Sequence, residues 1–121
     1  MVGSSQPAQL RDRTKAFALR VIRLYRSLPY KPDTQVLGKQ LLRCGTSVAA
    51  NYRAVCRARS KAEFIARIGI VVEEADETIL WLELMTDSGI ISSAKTEALL
   101  KEANELTAIF AASQRTARNA A

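Results

Sequence analysis

The stretch from Asp33 to Arg59 constrains the fold more than any other part of the chain. Leu37, Leu41, Cys44, Val48, Asn51 and Val55 step by four and three in alternation. That is the spacing of a helix with one side packed into a bundle. At about 100° per residue, Lys39, Arg43, Arg53 and Arg57 fall within about 80° of arc on the opposite side. No acidic residue lies between Asp33 and Glu63, so no partner three or four positions away in the same helix neutralises the stripe. It can be a solvated face, or a surface that meets an anion or an acidic neighbour.

The punctuation around this helix predicts three more. Leu10, Phe17, Val21, Leu24, Tyr25 and Leu28 share a face, predicting a helix over about 10–28. Pro29, Lys31 and Pro32 break it, Tyr30 is expected to pack there as a lid, and Asp33 stands where an N-cap would receive the free amides of the second helix. The second helix should end near Arg59, because Ser60-Lys61-Ala62-Glu63 reads as a capping box in which Ser60 and Glu63 each satisfy a backbone donor. Gly89 is placed to stop the third helix, and Ser92 or Ser93 to start the fourth, where Leu99, Ala103, Leu106 and Phe110 repeat the four-three spacing. Connections this short impose antiparallel neighbours, so the expected fold is all-α, an antiparallel up-down-up-down four-helix bundle. Residues 1–9 are expected to be a disordered tail, 10–112 the bundle and 113–121 a frayed C-terminal tail.

The third helix is apolar on two sides. Phe64, Ile68, Val71, Val72, Ala75, Ile79 and Leu82 form the core face, while Ile70, Trp81, Leu84 and part of Leu80 lie opposite. A helix with two apolar faces in a chain of four predicts that a second subunit covers one of them. The candidate subunit interface is Ile70, Glu73, Glu77, Trp81 and Leu84. Asn51, set into an apolar seam, is expected to bond another helix, through Ser47 or the acidic group on the third helix, since an unpaired buried amide costs about 1–3 kcal/mol.

Charge and composition narrow the function. The chain of 121 residues has no histidine, which removes the commonest general base and metal ligand. Glu73 and Glu77, one turn apart, lack the Glu-x-x-His partners of a bundle metal site, so no cofactor, metal or catalytic centre is expected. Cys44 and Cys56 lie about 18 Å apart along one helix, too far to bridge, and are expected to be buried thiols. No apolar run reaches the length of a membrane span, and the polar N-terminus does not resemble an export signal, so a cytoplasmic protein is expected. Met1 to Lys61 carries a net +11 and Ala62 to Ala121 a net −5, within a total of +6. Such halves attract nucleic acid, acidic protein or each other between subunits.

Three ordered motifs carry a resemblance. Ser47-Val48-Ala49-Ala50-Asn51-Tyr52-Arg53, Ser60-Lys61-Ala62-Glu63-Phe64, and Glu74-Ala75-Asp76-Glu77-Thr78 followed by Trp81-Leu82-Glu83-Leu84 resemble the bacterial four-helix bundle family, also called the S23 or 23S rRNA intervening-sequence protein family. The resemblance spans about residues 10–112; Ala54 and Val55 stand where many members carry a Glu after the Asn. It implies a left-handed antiparallel bundle assembling into a ring-like homopentamer. Some members are encoded inside inserts of ribosomal RNA genes, and a structurally similar basic protein of retroelements binds nucleic acid. The expected function is a non-enzymatic homo-oligomeric scaffold. The alternative is sequence-nonspecific RNA or DNA binding through the stripe, with Lys39 and Arg43 nearest an anionic partner and Arg53 and Arg57 nearer a subunit contact.

Overall fold

Four helices follow one another along the chain: α1 (Gln6–Arg26), α2 (Pro32–Val55), α3 (Lys61–Asp87) and α4 (Ser93–Asn119). The computed structural model describes residues 6–120, and the expected tail over 1–5 lies outside them. Each helix packs extensively on the next, while α1 and α4 touch only lightly. The result is the all-α up-down-up-down bundle that the short connections require.

The core is built from the faces that the spacing marks. Phe17 and Val21 of α1, Leu41 and Val48 of α2, Ile68, Val71 and Leu82 of α3, and Leu106 and Phe110 of α4 are all essentially inaccessible. Tyr52 joins them against Phe110, ring centroids 5.3 Å apart. Met85 and Thr78 are also fully buried, whereas Phe64, Val72 and Ile79 sit at the core's margin. Cβ atoms at Gly38 and Gly45 would lie 2.8 Å from Leu28 and 2.7 Å from Val21. These two glycines let α1 approach α2 closely.

Two boundaries follow the local signals. Ser60 is extended (φ −151°, ψ 163°) and its hydroxyl accepts the Glu63 amide at 3.0 Å, while the Glu63 carboxylate accepts the Arg59 amide at 3.1 Å. Gly89 has φ 82°, and the amides of Gly89 and Ile90 donate to the carbonyls of Thr86 and Met85, a Schellman ending.

Other boundaries differ from expectation. Asp33 is not the N-cap of α2, because Pro32 takes the first helical position with its preset φ, leaving Lys31 as the cap. Asp33 instead accepts the Thr34 amide at 2.8 Å. α2 ends at Val55 rather than Arg59, since its last amides tighten into three-residue bonds and the chain needs the remaining residues to reach an extended Ser60. α1 starts at Gln6, with Pro7 in a first turn that asks no donor of it. α4 runs on through the alanine-rich 111–119, where Gln114 Nε2 donates to the Ile65 carbonyl at 3.2 Å. Tyr30 is 93% exposed, so it is no lid.

Candidate functional site

The basic stripe of α2 divides between two neighbours. Arg43, near the middle of the helix, leans toward α3, where its Nη2 donates to Glu77 Oε2 and its Nη1 lies 3.5 Å from Glu74 Oε2. Cys44 Sγ donates to the same Glu77 oxygen at 2.9 Å, and Trp81 Nε1 approaches it at 3.4 Å. Hydrogen bonds from Cys44, Trp81 and Arg43 hold the Glu77 carboxyl below the usual range. Burial, then the Glu77 hydrogen bond, push the Cys44 thiol up to about 12, so it keeps its proton and acts as a donor. The buried Glu74 Oε2 has no hydrogen-bond partner and faces Arg43 only at ion-pair distance.

Donor atoms of Cys44, Glu74 and Glu77 lie within 4.8 Å of one another, close enough to share a metal. Arg43 already occupies the cation's place against both carboxylates, and the thiol is protonated. The group therefore works as a polar clamp between α2 and α3. Sequence reasoning placed Glu77 on an outer face and gave Glu74 and Cys44 no part here; the signal was the four-residue spacing of Trp81 and Glu77 opposite a basic helix.

The other end of the stripe leans toward α1. Arg53 and Arg57 line a cleft of about 390 Å³ with Arg11 and Lys15, Cys56 and a single acid, Asp12. Among the described residues none of these four cations forms an ion pair, in contrast to Arg13, whose guanidinium grips Glu102 with two bonds of 2.7 Å and Glu105 with one of 2.9 Å. Arg11 and Lys15 escaped the sequence reading, although their four-residue spacing puts both on one side of α1. Cys56 caps α2 and is exposed, correcting the expectation of two buried thiols. Lys39 is exposed one turn before Arg43, on the side of the clamp away from the cleft, and belongs to neither group.

The polar residue in the seam resolves locally. Asn51 is half-buried and its Nδ2 donates at 2.9 Å to the Ser47 backbone carbonyl of its own helix, so it does not reach across to α3. A one-turn bond of this kind satisfies the amide without any partner helix.

On the outer side of α3, Ile70, Leu80 and Leu84 remain 44%, 46% and 42% exposed, and Val36 of α2 is 64% exposed. Glu73 is exposed beside them. Trp81 differs from its neighbours because it packs against the core and is half-buried. Among the described residues no helix is long and apolar enough to cross a membrane.

Residues 8–112 match the family model of the 23S rRNA-intervening sequence protein. The chain belongs to that family. No curated protein matches it. Among solved structures it is similar to a protein with unknown function from the S23 ribosomal protein family of Bacteroides thetaiotaomicron VPI-5482. Identity is 32%, the TM-score is 0.84, and the match covers 92% of this chain and 99% of that one. The matched segment of this intervening-sequence protein family member contains the polar clamp, the basic cleft and the α3 apolar face alike.

Proposed function

We propose that the chain is a non-enzymatic subunit of a homo-oligomeric scaffold, a ring of five as the family resemblance implies. The observation that carries this reading is the outward apolar row Ile70, Leu80 and Leu84 on a helix whose opposite side already fills the core. Its occupant is a second copy of the chain. The net +11 of one half and −5 of the other support a head-to-tail contact, in which the positive surface of one subunit meets the negative surface of the next. Fully burying a leucine contributes about 1.5–3 kcal/mol, and each of these has less than half its surface left to bury, about 1 kcal/mol apiece.

The test is the mass in solution of the wild type and of a Leu80→Gln, Leu84→Gln double variant, with helix content followed by circular dichroism. Smaller species that keep their helix are expected. A monomeric wild type, or a variant whose mass does not change, overturns the reading. Trp81 is the wrong residue for this purpose, because its contact with the core would confound assembly with folding.

A further inference from the structure

The basic cleft adjoins an apolar hollow. Pro7, Tyr52, Val55, Ala58 and Phe64, with Ser60 at one side, line a recess of about 290 Å³ that shares Arg11 and Cys56 with the cleft. Along the helix the sequence offers no exposed aromatic beside the stripe, and Tyr52 is 5% exposed. The fold brings Phe64, from the first turn of α3, to the edge of the cations.

We propose that the cleft and the hollow together bind single-stranded nucleic acid, phosphates against Arg11, Lys15, Arg53 and Arg57, and one unstacked base in the hollow. Two observations select this chemistry. Arg11 and Lys15 are four residues apart, about 6 Å along α1, and Arg53 and Arg57 have the same separation in sequence across the cleft. Four unpaired cations against the one carboxylate of Asp12 leave a surplus that a run of phosphates would neutralise. Apart from Cys56 the cleft is lined by charged side chains, so a base finds little apolar wall there and finds one next to it. A duplex keeps its bases stacked and has none to place in the hollow, whereas a single strand can turn one out. The polar clamp at Arg43 takes no part, since its charge is already met.

The test uses the full chain and a short fluorescein-labelled single-stranded RNA, with the matching duplex and inorganic pyrophosphate as the other arms. Binding is titrated against salt for the wild type, for Arg11→Gln, Lys15→Gln, Arg53→Gln and Arg57→Gln singly, and for Lys39→Gln as a control of equal charge outside the cleft. Each cleft substitution should lower the slope of log affinity against log salt by about 0.7, and Lys39→Gln should not. Ala58→Phe, which fills the hollow without removing core, should keep the slope and lose about tenfold in affinity for the single strand. Solution mass recorded for every variant separates loss of binding from loss of assembly. Equal effects in Lys39→Gln and the cleft variants, a duplex held as tightly as the single strand, pyrophosphate bound as tightly as the RNA, or no binding at low salt would each overturn the proposal.

Discussion

Glu77 receives an arginine, a thiol and an indole on one oxygen, and its depressed pKa fixes the sign of its pH dependence. A carboxyl whose pKa is lower folded than unfolded stabilises above the unfolded value, about 4.3, and loses that contribution as pH falls through the folded value. Glu102, held low by its hydrogen bonds from Arg13, behaves in the same way and is the less exposed of the two. Urea midpoints taken from neutral pH down to about pH 3 should therefore fall, and Glu102→Gln should flatten that fall while costing about 1–2 kcal/mol at neutral pH. An acid limb unchanged by the substitution would mean that the Arg13 pair contributes nothing. Thiol labelling divides the two cysteines: Cys56 should react in the native protein, and Cys44, buried with its pKa at about 12, only after denaturation. Residues of this kind were only half legible. The sequence shows that Asn51 interrupts a seam, but whether its amide turns to Ser47 or to α3 depends on where the neighbouring helix lies, which spacing within one helix does not encode. Arg43 and Arg53 look alike on a helical wheel for the same reason, and only the flanking helices separate them.

At the scale of the helix, signals carried by a few adjacent residues read through cleanly. Ser60 with Glu63, and Gly89, do their work within four residues, and removing the Ser60 cap with Ser60→Ala should cost about 1 kcal/mol in chemical denaturation. The starts and ends set by tertiary needs did not read through: α2 stops at Val55 because the chain must turn into α3, and α4 passes residue 112 because Gln114 finds a carbonyl on α3. The α1–α2 contact gives a contrast at matched glycines. An alanine at Gly45 meets the branched Cγ atoms and Cβ of Val21 at 2.7–3.1 Å, a stiff side chain on a packed helix. At Gly38 the closest atom is the terminal Cδ1 of Leu28, just past α1, which can swing aside, and the Tyr25 ring atoms at 3.2 Å need give way by only a few tenths of an ångström. Both substitutions gain about 1 kcal/mol of helix propensity, and overpacking costs about 1–3 kcal/mol where nothing yields. Gly45→Ala should thus destabilise and Gly38→Ala should be near neutral, with Gly45→Ala moving the denaturation midpoint down by the larger amount. Equal shifts would show that the α1–α2 spacing relaxes as a whole.

Across the whole molecule the bundle is unevenly closed. α1 packs along α2 but meets α4 lightly, and across that seam Arg13 holds Glu102 and Glu105. α3, by contrast, is packed on both α2 and α4 and carries the clamp to Arg43. A helix with one extensive neighbour opens at lower free energy than a helix with two, so local opening should begin with the outer helices α1 and α4 rather than with α3. Hydrogen exchange at neutral pH should find the amides of α1 less protected than those of α3, and Glu102→Gln should speed exchange in α1 while leaving the middle of α3 unchanged. The bidentate geometry matters here, because an arginine that loses its fork partner retains only the more exposed Glu105. Acid should act like the substitution: as pH falls toward the folded pKa of Glu102, protection in α1 should drop before protection in α3, after correction for intrinsic exchange rates. If α1 and α3 instead exchange at one common rate in both proteins, the bundle opens only by global unfolding, and the thin α1–α4 seam has no energetic meaning of its own.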